Sequence, residues 1–159
     1  MRTVLQGTVS ELHEMCSPVN RAGVIPYAVH NNEIYWLFGV GSDGKLHDFG
    51  GGRKRSKDET PIKGLLREVH EESSGVLTGN ITEAIAAGEH LSLWKAEKDS
   101  RVTDYLLLAP IPYWSYGLVF YANSEIRQLK WILQSTVLSL DINDFADPLR
   151  RYIRKFQVH

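Results

Sequence analysis

Three consecutive glycines, Gly50-Gly51-Gly52, precede a run that opens at Thr60-Pro61 and carries Arg67-Glu68-Val69-His70-Glu71-Glu72. Each half asks something different of the backbone. Successive glycines let a chain turn sharply or approach another backbone closely. The run behind them begins as a helix begins. Thr60 is an N-cap residue type, Pro61 suits the first helical position, and a residue before proline is held in the extended geometry an N-cap needs. From there Ile62, Leu65, Leu66 and Val69 recur at helical spacing and form one apolar stripe. Glu68, Glu71 and Glu72 stand at i, i+3 and i+4, so they cluster on a neighbouring face. Carboxylates that close repel one another unless a cation sits among them, and no cationic side chain is expected on their own face. Hard oxygen donors in this array suit Mg²⁺ or Mn²⁺. A solvated acidic face is the simpler reading of a charge cluster alone. The glycines in front and the arginine inside the run favour an ion site.

These residues resemble the box of the Nudix hydrolases, Gly-x5-Glu-x7-Arg-Glu-U-x-Glu-Glu-x-Gly-U with U aliphatic. Glu59 and Arg67-Glu68-Val69-His70-Glu71-Glu72 stand in register with it. The chain departs from the pattern in two places. Six residues separate Gly52 from Glu59, and Ser74 occupies the place of the closing glycine, with Gly75 one later. Both departures fall where an extra residue can be absorbed, in the loop and at the helix end.

The resemblance implies an α/β/α sandwich of the α+β kind built on a mixed sheet. It also implies Mg²⁺-dependent (or Mn²⁺-dependent) hydrolysis of a diphosphate in a nucleoside diphosphate linked to another moiety, such as a nucleotide or dinucleoside polyphosphate. Glu68 and Glu72, one helical turn apart, are the first ligands implied, with Glu71 shared when several ions bind. A backbone carbonyl of Gly51 or Gly52 completes the shell. Glu59 and Arg67 are implied as structural support, an ion pair that orients helix and turn; Arg67 also lies one turn before Glu71, as a surface pair would. Some members carry a glutamate six residues before a tryptophan as an extra ligand or general base, and Glu125 and Trp131 match that spacing. Glu97, Asp99 and Asp104 compete for the role. Two rival functions stay open: a pyrophosphohydrolase of RNA ends (caps), and a Nudix-fold nucleotide-binding module without catalysis.

The chemistry asks little covalent work of the protein. Charge at phosphorus must be neutralised and a water aimed, and divalent ions serve both needs. Arg53 and Arg55, with Lys54 and Lys57, crowd the loop behind the glycines and suit distal phosphates or a nucleic-acid backbone, although a solvated basic loop has the same composition. Tyr113 and Trp114, in Pro112-Tyr113-Trp114-Ser115-Tyr116-Gly117, offer flat apolar faces to a nucleobase, although most aromatic residues are core. A second basic group, Arg150, Arg151, Arg154 and Lys155, reads as the cationic end of a closing helix.

At 159 residues the chain is expected to be a single domain spanning 1–159, with room for a sizeable core. Its 43% hydrophobic content is that of a globular protein, and no tract is long enough to span a bilayer. Cys16 is the single cysteine, so no internal disulfide can form. The first residues lack the apolar core of a signal peptide, and a cytoplasmic location is expected. A net charge of −1 argues against wholesale nucleic-acid binding while leaving a local basic patch, and with it an RNA contact, open. The expected partner is a small nucleotide, and the protein a monomer or homodimer.

Strands are expected over Ala22–His30 and Glu33–Val40 around an Asn31-Asn32 turn, and over Leu46–Phe49 leading into the glycines. A second hairpin is expected over Leu91–Ala96 and Val102–Ala109, a strand over Arg127–Leu133, and a closing helix over Pro148–Gln157. Residues 1–20 read as a polar lead-in.

Overall fold

The computed structural model describes residues 3–7, 21–52, 60–96, 102–150 and 152–153. Cys16, the basic loop with Arg53 and Arg55, Glu59, Glu97 and Asp99 lie outside them. The described strands are β1 (Thr3–Gly7), β2 (Arg21–His30), β3 (Glu33–Gly41), β4 (Leu46–His47), β5 (Phe49–Gly52), β6 (Leu91–Ala96), β7 (Val102–Pro110) and β8 (Ile126–Leu133). They form one sheet in the order β1-β6-β7-β2-β3-β4, with β5 also on β2 and β8 also on β3. The helices are α1 (Pro61–Glu72), α2 (Thr78–Ala86) and the short α3 (Gln134–Ser139).

Central β2 explains most of the arrangement. Its Val24 and Ile25 are both fully buried, so the strand has a core on each side, as a strand covered on both faces must. It runs parallel to β7 and antiparallel to β3 and β5, which makes the sheet mixed. On one edge β2 pairs with β5 over Arg21–Val24 and with β3 over Tyr27–His30. Pro26 falls between these two ladders, where a residue without an N–H is tolerated. One core gathers Val24, Leu37, Phe49, Leu65, Val69 and Ile81 beneath α1 and α2. The other gathers Ile25, Trp36, Phe38, Val137 and Phe145 with Leu149, Tyr152 and Ile153, on the side of α3. Helices thus cover both faces of a mixed sheet, as expected.

Both hairpins and β8 fall where their patterns place them. Two expectations fail. Leu46–Phe49 is not one strand: β4 pairs with β3 and β5 with β2, and the chain changes partner at Asp48. The closing segment opens as a 3-10 turn over Asp147–Leu149, not as an α-helix. Pro148 supplies no N–H there, and Arg150 turns back to Asp147 at 2.8 Å, so it does not mark a helix C-terminus. Beyond Ile153 the expected helix lies outside the described residues.

Candidate active site

The box helix α1 starts as its sequence dictates. Thr60 is extended, at φ −71° and ψ 157°, its side chain accepts from the Lys63 N–H, and Pro61 opens the helix. Leu65 and Val69 are fully buried, with Ile62 and Leu66 partly so. This stripe lays α1 on β2 and β5 and turns the next face of the helix onto the glycine strand.

On that face the three glutamates separate. Glu72 is 7% exposed and its Oε1 accepts the Gly50 N–H at 2.8 Å. Glu68 lies over Gly51; a Cβ there would stand 2.8 Å from the Glu68 carboxyl carbon. At Gly50 a side chain would strike the Ala22 carbonyl. Gly50 is therefore required by the close approach of the neighbouring strand, while a side chain at Gly51 would push the Glu68 carboxylate aside. Glu71 points outward and is half exposed.

A cation does sit among these carboxylates, contrary to expectation. Arg67 Nη1 donates to Glu68 Oε1 at 2.8 Å and to Glu71 Oε2 at 3.5 Å, while Nη2 donates to the Gly52 carbonyl at 3.2 Å. Adjacent residues on a helix do not normally face each other. The 19% exposed guanidinium folds back over Glu68 because Gly52 offers it a carbonyl there. Arg67 thereby ties α1 to the end of the glycine strand.

Two further residues, Asp48 just before the glycines and Arg21 far from them in sequence, complete the surroundings. Asp48 is 3% exposed and takes both guanidinium ends of Arg21, at 2.7 and 2.8 Å. Gly23 makes room for this pair, since a Cβ there would strike Asp48 Oδ2. Burial works against the charge on Arg21, but Asp48, then Glu72 and Asp104, hold its pKa above the ordinary value. Glu72 responds in the opposite sense. Burial pushes its carboxyl up to about 8 against the pull of the Gly50 N–H, and the nearby charges of Asp48, Glu68 and Glu125 add to the rise. A desolvated carboxylate surrounded by others is unfavourable on its own and favourable with a cation.

Glu125 reaches this region from the bend just before β8. It helps line a cavity of about 250 Å³ with Glu72, Ser42, Asp43, His47, Ser124 and Ile126. Its position is set by Asn123. The Asn123 side-chain amide donates to the Glu72 carbonyl at 2.9 Å, and its Oδ1 accepts the N–H groups of Glu125 and Ile126 at 3.0 and 2.9 Å. The Ser42 N–H also donates to the Glu125 carbonyl at 3.2 Å. Across the cavity, Asp43 accepts from Lys45 N–H and pairs with His47 at 3.0 Å, contacts that hold its carboxyl below the usual range. Asp104 stands level with Arg21 on β7.

The altered closing position of the box is accommodated at the helix end. Ser74 adopts φ 53° and Gly75 φ 81°, so two residues share the left-handed turn a single glycine would make. The Ser74 hydroxyl donates to the Tyr121 carbonyl at 2.6 Å.

The aromatic segment lies on the same sheet face at the far end of β8. Tyr113 stacks on His30 with ring centroids 4.1 Å apart and reaches Trp131 at 5.1 Å. Trp114 is half exposed, and its carbonyl accepts the Trp131 indole N–H at 2.8 Å. Tyr116 is core instead, its hydroxyl held by Asn80 and Pro112. Along β8, Ile126 to Trp131 spans about 16 Å.

As for a metal, the donor set fits a hard divalent ion. Every group offered by Glu68, Glu72, Glu125 and the glycine carbonyls is oxygen, and Glu72 is a buried carboxylate in need of a counter-charge. Among the described residues, however, no three carboxylates or imidazoles converge on one point. Glu68 is drawn to Arg67 and Glu72 to Gly50.

No family model matches this sequence, and no curated protein matches it. Solved structures do. The chain is similar to an Ap4A hydrolase of C. elegans, with 19% identity, 86% of this chain and 93% of that one covered, and a TM-score of 0.56. It is similar to the NUDIX domain of NrtR from Shewanella oneidensis, solved with ADP ribose, at 14% identity, 87% and 85% coverage and a TM-score of 0.53. For a MutT protein from Methanosarcina mazei the identity is 15%, the coverage 87% and 93%, and the TM-score 0.51. At these identities the likeness is one of fold, and the fold is of the Nudix type.

Proposed function

We propose that this chain is a Nudix pyrophosphohydrolase, a single domain that uses Mg²⁺ or Mn²⁺ to cleave the diphosphate of a nucleoside diphosphate linked to another group. The observation that carries the reading is Glu72: a buried carboxyl on the Gly50 N–H, pushed up to about 8, with Asp48, Glu68 and Glu125 in its field. A fold gathers such charges at a cost unless a cation joins them.

In this reading Glu68 and Glu72 hold the ion, with Glu71, Glu125 and a carbonyl of Gly51 or Gly52 as further oxygen donors. The bound ion supplies charge neutralisation at the diphosphate. Arg67 keeps Glu68 and the glycine strand in place, and Glu59 supports the same turn. Glu125, on the far wall of the cavity from α1, takes the proton of the attacking water as general base. Tyr113 and Trp114 supply a stacking surface for a base at the other end of β8, and Arg53 and Arg55 hold phosphates remote from the reacting one. That the carboxylates and the rings lie at opposite ends of β8 favours a substrate with a nucleoside at one end and its reacting diphosphate at the other. The Ap4A hydrolase and the ADP ribose-binding domain among the similar folds act on or bind molecules of that kind.

The test is a screen of nucleoside triphosphates, dinucleoside polyphosphates, ADP-ribose, nucleotide sugars and capped RNA with Mg²⁺, analysed by chromatography. A nucleoside monophosphate released from one class, and lost with chelator, is expected. Binding without turnover across the panel would make the chain a nucleotide-binding module, and turnover of capped RNA alone would move it to RNA ends.

A further inference from the structure

The Arg21–Asp48 pair is unusual for its place. Its members stand 27 positions apart, it is made through two parallel N–H···O bonds, and it lies across Gly23, where any side chain would displace it. Asp48 sits where the chain leaves β4 for β5, two residues before the N–H that holds Glu72. Arg21 faces Gly52 on one neighbouring strand and Asp104 on the other. Both charges act on Glu72: Asp48 repels it and Arg21 attracts it. The fold therefore brings a further buried carboxylate to the candidate ion site and neutralises it with its own cation.

We propose that the Arg21–Asp48 pair sets the cation affinity of the carboxylate site, Asp48 adding to it and Arg21 restraining it. The inference rests on the reading of Glu68 and Glu72 as ion ligands. Arg21 is then a positioning residue. It pins Asp48 on β2, and with it the start of β5, and it cancels a negative charge that would otherwise draw a divalent ion more tightly. A pair that served stability alone would behave differently. Removing either member would then lower the melting temperature and leave ion affinity unchanged, or change it in one direction for both.

Mn²⁺ binding, followed by the free-ion signal in electron paramagnetic resonance, separates the two cases without a turnover assay. For Arg21→Gln the Kd for Mn²⁺ is expected to fall about tenfold, and for Asp48→Asn to rise about tenfold, each about one unit charge next to the site. The double variant, neutral at both positions, is expected within about threefold of wild type because the net charge beside the site is unchanged. Arg21→Lys separates charge from geometry, and it takes the place of Arg21→Gln if that variant fails to melt cooperatively, Asp48→Asn then carrying the expected change. Arg21→Lys keeps the charge but not the paired bonds, so affinity is expected to stay within about threefold of wild type. Changes of the same sign in both single variants, no change in either, or a shift beyond tenfold in Arg21→Lys would overturn the proposal. A wild-type protein that binds no Mn²⁺ would instead remove the ion-site reading itself.

Discussion

At Ile126 the strand β8 meets β3 near two buried carboxylates, Glu72 held by the Gly50 N–H and Asp48 paired with Arg21. At Trp131 the same strand meets Tyr113 and Trp114, rings 40% and 50% exposed and held by stacking and one indole bond. One end spends stability to gather like charges. The other keeps apolar surface open to solvent. The first arrangement suits chemistry that needs exact charge placement, and the second suits binding that tolerates different partners.

The sharpest way to break this contrast is to remove a charge at the inner end. Glu72→Gln should lower kcat by about a hundredfold or more, a cost of several kcal/mol at the transition state. Its amide oxygen can still accept the Gly50 N–H, and a desolvated charge is gone, so the metal-free variant should melt no lower than wild type at pH 8. Activity above half of wild type, read in the same preparation, would contradict the assignment. Glu125→Gln is the next test and should lower kcat by about tenfold to a hundredfold, with KM little changed and the acidic limb of the pH–rate profile weakened. Wild-type behaviour would pass the proton to Asp104 or Glu97.

At the outer end the effects should be smaller and fall on binding. Tyr113→Ala or Trp114→Ala should raise KM by about fivefold to tenfold and leave kcat within twofold, as expected for losing one stacking contact. If kcat falls and KM holds, the two ends are not separate in the way proposed.

The last test concerns pH. The Glu72 carboxyl titrates higher in the folded chain, at about 8, than in an unfolded one. Between the unfolded value and about 8 the folded state thus binds more protons, and the stability of metal-free protein should decline as pH rises through that window. Mg²⁺ should raise the melting temperature more at pH 8.5 than at pH 6, since it then displaces no proton. Thermal melts in chelator and in Mg²⁺ across this range give the comparison directly, and an unchanged Mg²⁺ increment would place the ion elsewhere.

The two ends also differ in how well they can be read from sequence. Thr60-Pro61, the apolar stripe and the Glu68/Glu72 spacing are local signals, and α1 follows them. The place of Glu125 near Glu72 was legible through the resemblance that its distance to Trp131 carries, and Asn123 had a signal too, as an Asx residue three before a strand start. Arg21 and Asp48 had none. They meet only because β5 pairs with β2, and nothing within either segment encodes that register. The absence of a cation on the glutamate face was a reasonable inference from helix geometry, and it fails because the Gly52 carbonyl bends Arg67 back. Helix α2 carries Leu77, Ile81 and Ala84 at helical spacing, but Gly79 and its β-branched residues dilute the pattern. The break at Asp48 is likewise a matter of which strand each half pairs with, and an apolar run does not record its partner.

Asn123 has a consequence of a different kind. One amide grips the last turn of α1 with its nitrogen and the first residues of β8 with its oxygen. The span from Ile111 to Ala122 is tied to the rest at its own points, through Tyr116 and Tyr121. Residues gained or lost between Tyr116 and Tyr121 are therefore taken up before the chain reaches that grip. The apparatus at the helix end keeps its register while the stretch beside the rings changes length. On the proposed reading, the surface that meets the base can change shape by editing a loop while the carboxylates stay where a single asparagine fixes them.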